Sequence, residues 1–108
     1  MIPLPKPLRF LGSSQDDLRE FPKAVRQALG VELMRVQFGE TPMDCKPMKE
    51  VGAGVYEIRV HLGGAWRVIY VARFAEAIYV LHAFRKKTRR TRKADVDLAA
   101  RRYKTIGA

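Results

Sequence analysis

The sequence has little of what secreted and membrane proteins use. Its single cysteine, Cys45, cannot form a disulfide within the chain. No apolar run approaches the roughly 18–20 residues that a membrane-spanning helix needs. Residues 1–7 contain three prolines and no charged start before an apolar stretch, so we expect no signal peptide. These absences favour a cytoplasmic protein without a membrane anchor.

Recognisable cofactor motifs are missing as well. The sequence has no zinc-ligand spacing, no glycine-rich nucleotide loop and no nucleophile elbow. We therefore expect neither a metal nor another cofactor. The hydrophobic fraction of 47% is typical of a globular chain, and no repeat or low-complexity linker divides it. We predict a single domain over residues 1–108, since this length leaves no room for a second core.

Positive charge is abundant and concentrated near the end of the sequence. The formal net charge is +10, and residues 85–104 contain ten lysines and arginines but only two acidic residues. Such a concentrated field attracts polyanions and speeds their association. A solubilising basic tail is the alternative, but the clustering favours nucleic acid as the partner.

Hydrophobic periodicity and turn residues predict a short strand, two helices, three strands and a last helix. The predicted boundaries are 8–12 for the first strand, 14–20 and 22–38 for the helices, 55–62, 65–73 and 77–84 for the later strands, and 94–106 for the last helix. Residues 39–54 are expected to be irregular. Connections of this length in a small domain are often functional.

The second helix carries two apolar stripes. The first is expected to face the core and consists of Val25, Ala28, Leu29, Leu33 and Val36. The second stripe, Val31, Met34 and Phe38, lies roughly opposite. We favour its packing on the preceding helix as a helical hairpin. The alternative is a landing site for a partner chain.

The Gly63-Gly64 pair marks a hairpin whose register decides which side chains share a face. A two-residue turn would pair Val60 with Arg67 and mix charge into the core. A three-residue connection over 63–65 pairs Val60 with Val68 instead, so we predict that register.

This register predicts one apolar sheet face for the helices and a second, exposed face that carries cations. His61 would lie opposite Arg67, with Arg59 on the same face. His82 and Phe84 would join that face if the next loop has an even number of residues. A different possibility is that each arginine is an ordinary sheet charge that pairs with Glu57 or Glu76.

The order of these elements and several stretches resemble the RelE/ParE superfamily, most closely the HigB-type, phage-related toxins of type II toxin–antitoxin systems. The stretches are residues 18–22, 46–49, 54–59, 66–72 and 78–88, and they follow the family's order. The resemblance implies an α+β fold with two N-terminal helices packed on a small antiparallel sheet. That sheet would be a three-stranded meander plus a possible N-terminal strand, followed by a basic C-terminal helix.

The resemblance also implies a function. Such toxins are metal-independent endoribonucleases that cleave messenger RNA on the ribosome, through attack of a ribose 2′-hydroxyl on the adjacent phosphate. The implied partners are therefore the ribosome, messenger RNA and a cognate helix-turn-helix antitoxin. Two alternatives stay open, because one fold serves several functions. They are a ParE-like, non-catalytic inhibitor of a DNA topoisomerase and a phage nucleic-acid-binding protein.

Candidate catalytic residues follow from the resemblance and from the chemistry of phosphate. The resemblance assigns Arg67 to the strand arginine that holds the scissile phosphate, and it places Arg59 and Lys86 at further basic positions. Arginine suits this task because its planar fork donates two parallel hydrogen bonds to phosphate oxygens. For proton transfer the candidates are His61, Lys49 and Lys86, with His82 more typical of a structural sheet residue.

The sequence departs from the family at two places that concern the general base. Glu57 stands where some relatives have lysine, and residues 88–92 lack a tyrosine. The general base is therefore left open among the candidates. Residues expected to bind RNA without cutting it are Lys46, Phe84, Arg85, Lys87, Arg89, Arg90, Arg92 and Lys93.

Overall fold

The computed structural model describes residues 4–107 and arranges them as three helices and five strands. The expectation of no signal peptide rests partly on residues 1–3, which lie outside the described residues. In chain order the elements are β1 (Leu8–Phe10), α1 (Ser14–Arg19), α2 (Lys23–Gln37), β2 (Cys45–Pro47), β3 (Val55–His61), β4 (Ala65–Val71), β5 (Ile78–Lys86) and α3 (Lys93–Lys104). No helix within this part of the chain is both long and apolar enough to cross a membrane.

The strands form one mixed sheet in the order β1-β5-β4-β3-β2. The predicted antiparallel meander is confirmed by β3, β4 and β5. Two features correct the expected small antiparallel sheet. Strand β1 pairs with β5 in parallel, and β2 adds a fifth strand within the stretch predicted to be irregular. Strand β2 has three residues, too few for an alternating pattern to indicate a strand. It ends in Pro47, which is tolerated because β2 is an edge strand.

One face of the sheet packs against α1 and α2, as predicted. The core stripe of α2 buries Val25, Leu29, Leu33 and Val36 against strand residues such as Ile58. A three-to-four residue spacing gives a helix one apolar face, and this face meets the alternate apolar residues of the strands.

The expected packing of the second α2 stripe on the preceding helix is wrong. Val31, Met34 and Phe38 are 51%, 56% and 45% exposed. Helix α1 has six residues and lies instead against β5, where the Ser14 hydroxyl donates to the backbone oxygen of Val80 at 3.2 Å. Helix α1 is therefore held on the sheet and leaves this side of α2 uncovered.

The other sheet face is covered in part by α3, which corrects the expectation of an open face. Ala99 of α3 packs in a second apolar cluster that includes Ile69, Leu81 and Phe84. The Arg102 guanidinium also donates to the backbone oxygen of Leu81 at 2.9 Å. The amphipathic pattern predicted this helix but did not show which surface it covers.

The β3–β4 hairpin differs from the predicted register by two residues. Arg59 lies directly opposite Arg67, and His61 lies opposite Ala65, so the loop consists of residues 62–64. Gly63 adopts a φ of 61°, a left-handed conformation that glycine reaches without strain. Side chains alternate with a period of two, so a shift of two residues keeps every side chain on its predicted face. The two arginines therefore still share a face, but His61 does not lie opposite Arg67.

Candidate functional site

Three neighbouring strands bring cationic side chains to the α3 side of the sheet. Arg59 and Arg67 are cross-strand partners on β3 and β4, and Phe84 of β5 lies opposite Arg67. Lys86 ends β5 beside Ala65 on the same alternation as Phe84. The pairings of Ile69 with His82 and of Arg67 with Phe84 place His82 and Phe84 on this face. The loop between the paired residues Val71 and Tyr79 is odd, so the predicted even loop is wrong, and a register shift between Ile69 and Tyr70 brings the two side chains to this face instead.

Arg59 is held at the rim of this face by an acidic partner. Its Nη2 and Nε lie 2.9 Å and 3.0 Å from Oδ1 of Asp44, and the side chain is 36% exposed. The Arg59 backbone amide also donates to the backbone oxygen of Asp44 at 2.9 Å. These contacts fix the direction of the guanidinium while part of it still meets solvent.

Arg67 is buried, contrary to the expectation that it lies on an exposed surface. Its side chain is 4% exposed, and its Nε lies 3.5 Å from Oε1 of Glu57, which is fully buried. The Arg67 guanidinium also donates to the backbone oxygen of Trp66 at 3.0 Å. Burial lowers the pKa of Arg67, and the negative charge of Glu57 opposes that shift. The alternative pairing of an arginine with Glu57 is confirmed for Arg67, although inside the protein rather than at its surface.

The pair of Glu57 and Arg67 is electrostatic rather than well hydrogen-bonded. Arg67 Nε and Glu57 Oε1 have no hydrogen-bond partner among residues 4–107. The other carboxylate oxygen of Glu57 accepts a hydrogen bond of 3.1 Å from the Thr91 hydroxyl. A buried charge with unfilled hydrogen-bonding positions is costly, so such sites often have a role beyond stability.

A cationic cleft of about 450 Å³ lies next to this pair, between β2, the end of β5 and the start of α3. Its lining residues are Lys46, Glu50, Lys86, Arg89, Arg90, Thr91, Lys93 and Val96. Lys46 is the cross-strand partner of Glu57, so the cleft and the buried pair are adjacent on the sheet. An anion in the cleft would meet lysines and arginines from at least three parts of the chain.

Within the cleft, the pKa of Lys86 is lowered. The largest cause is desolvation, and the next is the charge of nearby Arg67, while Glu57 opposes the shift. A lysine with a lowered pKa gives up its proton more readily, so Lys86 has the chemistry of a general acid.

The structure gathers some of the predicted site residues and separates others. Lys46, Lys86, Arg89, Arg90 and Lys93 line the cleft, as described above. Lys87 and Arg92 are exposed beside it. Lys49 lines a different depression, with Pro47 and Tyr56. His61 is exposed at the end of β3.

The last two predicted RNA-binding residues make protein contacts. Arg85 lies on the opposite face, with its guanidinium carbon 5.2 Å from the centre of the Trp66 ring. Phe84 is buried, and its ring stacks on His82 with the centroids 4.8 Å apart. His82 Nε2 is in turn 2.7 Å from Oδ1 of Asp95, which ties β5 to the first turn of α3.

Asp44 and Thr91 were missed by sequence reasoning, and Glu57 was considered as a surface partner and as a departure from the family, but not as a buried residue of the site. Glu57 and Arg59 are two residues apart along β3, and this spacing alone places both side chains on one face of the sheet. Thr91 lies in the irregular segment between β5 and α3, where no periodicity indicates direction. Within residues 4–107, no three His, Cys, Asp or Glu side chains are grouped as a metal site requires.

Comparison with known proteins identifies a family and a similar fold. The family described as "Phage derived protein Gp49-like (DUF891)" matches residues 16–104, which include most of α1 and all of α2, of strands β2 to β5 and of α3. The fold is similar to that of a chain in the crystal structure of the RelBE2 toxin–antitoxin complex from Mycobacterium tuberculosis. That similarity has a TM-score of 0.50 and 19% identity, and it covers 77% of this chain and 100% of that chain. No curated protein matches the sequence.

Proposed function

The chain belongs to the family of phage-derived Gp49-like proteins, and we propose that it is the toxin of a type II toxin–antitoxin system. The similar fold of a chain in a toxin–antitoxin complex supports this proposal. We further propose a HigB-type activity, in which the toxin cleaves messenger RNA on the ribosome. Its partner in the resting cell would be a helix-turn-helix antitoxin, and its site of action the cytoplasm.

The observation that carries the proposed activity is the cationic cleft beside Arg67. In the proposed reaction, the ribose 2′-oxygen forms a bond to the adjacent phosphorus while the bond to the 5′-oxygen breaks. The products are a 2′,3′-cyclic phosphate and a 5′-hydroxyl. Negative charge accumulates on the phosphorane, where Arg67 and Arg59 would stabilise it. Lys86 would give its proton to the departing 5′-oxygen, consistent with its lowered pKa.

The other basic residues of the cleft would hold the RNA backbone rather than act on it. Neutralising phosphates releases counterions, so this binding should weaken steeply with salt. We assign no step to His61 or Lys49, because neither lines the cleft.

The double variant Arg89→Gln/Arg90→Gln tests this binding role. We expect it to reduce the slope of log K against log salt by about 1.4 for a single-stranded RNA, because each phosphate contact contributes about 0.7. Fluorescence anisotropy over a range of salt concentrations measures the slope. The matched control is Lys23→Gln/Arg26→Gln, which removes two exposed charges from α2. Equal slopes for the two double variants would show that the cleft does not bind RNA.

A second candidate function is supported by the burial of Arg67. An arginine that is 4% exposed and paired with Glu57 is less accessible to a phosphate than an exposed one. The burial of Arg67 therefore supports, as the second candidate, a non-catalytic toxin such as an inhibitor of a DNA topoisomerase.

Induced expression with transcript-end mapping separates the two candidates. A messenger-RNA nuclease should produce new ends within translated codons soon after induction, with 2′,3′-cyclic phosphates on the upstream fragments. Intact transcripts accompanied by chromosomal DNA breaks would instead support the topoisomerase inhibitor. Growth arrest with neither lesion would contradict both proposals.

A further inference from the structure

Thr91 and Glu57 form a polar pair at the base of the cationic cleft. Thr91 lines the cleft, and its hydroxyl donates to Oε2 of Glu57 at 3.1 Å. Glu57 is fully buried, and its other oxygen lies 3.5 Å from Arg67 Nε. The Thr91 hydroxyl therefore contacts a buried carboxylate, and Thr91 also borders the cleft in which the substrate would bind.

We propose that Thr91 and Glu57 accept the proton of the attacking 2′-hydroxyl, with Thr91 as the catalytic residue that touches the substrate. This inference rests on the proposed ribonuclease function. The 2′-hydroxyl transfers its proton to Oγ1 of Thr91 as the bond from the 2′-oxygen to phosphorus forms. Thr91 gives its own proton to Oε2 of Glu57 in the same step. Threonine is therefore unchanged, and Glu57 becomes a neutral carboxylic acid.

The charge balance of this step suits the neighbouring arginine. Before the step, Arg67 faces the negative charge of Glu57. When Glu57 takes the proton, that charge disappears from the carboxylate and an equivalent negative charge develops on the phosphorane. The Arg67 guanidinium can then stabilise the phosphorane without competition, which is the differential binding that accelerates a reaction.

The other candidates for a base fit less well. His61 is exposed at the end of β3, outside the cleft. Lys86 lines the cleft but is suited to protonate the leaving oxygen, and one group cannot do both in a single step. Residues 88–92 contain no tyrosine, so Thr91 supplies the hydroxyl in this segment that contacts a carboxylate.

Single-turnover cleavage of a short messenger RNA on purified ribosomes tests the relay. We expect Thr91→Val to slow cleavage about 100-fold, a typical contribution of general base catalysis, and Thr91→Ser to stay within about threefold of the original. The affinity for the same RNA with a 2′-deoxy residue at the cleavage site, which cannot be cleaved, should differ less than twofold between Thr91→Val and the original protein. The double variant Thr91→Val/Glu57→Gln should be no slower than Thr91→Val alone, because residues that act as one unit are not additive.

The pH profile distinguishes proton transfer from a structural role. A proton acceptor in the reaction makes the cleavage rate depend on pH, so the rate of Glu57→Gln should be low and should change less with pH than the rate of the original protein. Thr105→Val, at the other end of α3, and Glu40→Gln, on the exposed surface, are the matched controls and should cleave normally.

Two failures have different meanings. If the original protein cleaves the RNA and folded Thr91→Val cleaves it equally fast, the relay is overturned while the ribonuclease function stands. If the original protein cleaves no RNA on ribosomes, the ribonuclease function falls and the relay falls with it. Should Glu57→Gln fail to fold, the comparison of Thr91→Val with Thr91→Ser decides the question.

Discussion

Replacement of Arg67 by alanine is expected to slow RNA cleavage by about 10²–10³-fold and to relieve growth arrest. Removal of one donor from a site that stabilises developing oxyanion charge typically has an effect of this size. Arg67 is the arginine closest to Glu57 and lies opposite Arg59, so no neighbour can take its place without moving. Single-turnover cleavage and a growth assay after induction measure the two effects.

Because Arg67 is buried, the loss of activity has to be separated from a loss of folding. Arg67→Lys keeps a positive charge beside Glu57 but lacks the planar fork that binds two phosphate oxygens. We expect Arg67→Lys to fold and to cleave at least about tenfold more slowly, since one bidentate contact is lost. Arg26→Ala, on the exposed side of α2, is the matched control and should cleave normally. A folded Arg67→Lys variant with unchanged rate and toxicity would contradict the role given to Arg67.

The apolar pattern of the sequence predicted most of the fold. The spacing in α2 and the alternation in β3 and β4 identify the residues that are buried together. The predicted register of the β3–β4 hairpin was wrong by two residues, but the predicted face of each side chain was right. Only a shift by an odd number of residues moves the side chains of a strand to the other face. The joint placement of Arg59 and Arg67 on one face therefore followed from alternation alone.

The features that the sequence did not show depend on contacts between distant segments. Strand β2 is three residues long, and its pairing with β3 depends on the path of the preceding loop. Helix α3 and the segment before it lie on the predicted open face, where Ala99 packs in the cluster of Ile69 and Thr91 contacts Glu57. The cleft is built by the same segments, so neither its volume nor its contact with Thr91 could be read from spacing.

The basic residues of the site also show that a pattern along the chain does not fix each side chain's contacts. Lys46 was predicted as an RNA-binding residue and Lys86 as a catalytic one, and strand pairing places both on the face of the arginines. Arg85 is adjacent to Lys86 in the basic run yet points to the Trp66 side of the sheet. Charge clustering along the chain therefore predicted the partner class better than it predicted the individual contacts.

Replacement of Glu57 by alanine is expected to lower the free energy of unfolding by about 3–5 kcal/mol. It leaves the buried guanidinium of Arg67 without a counter-charge, and removal of one member of a buried ion pair typically has this cost. In a domain of this size, the melting temperature should fall by more than about 10 °C. Glu40→Ala breaks the exposed pair with Arg35 and is the matched control, with an expected effect below about 1 kcal/mol.

The double variant Glu57→Leu/Arg67→Met shows whether the pair is kept for stability or for chemistry. Exchange of a buried ion pair for apolar residues of similar volume is often neutral or stabilising, so we expect this variant to unfold at least as late as the original. We also expect it to cleave no RNA, because it lacks both the phosphate ligand and the proton acceptor. Urea or thermal unfolding, together with the ribosome cleavage assay, measures the two properties. A double variant that is as unstable as Glu57→Ala would mean that the pair mainly holds the sheet together. A stable but inactive one would mean that the buried charges are retained for the reaction at the cleft.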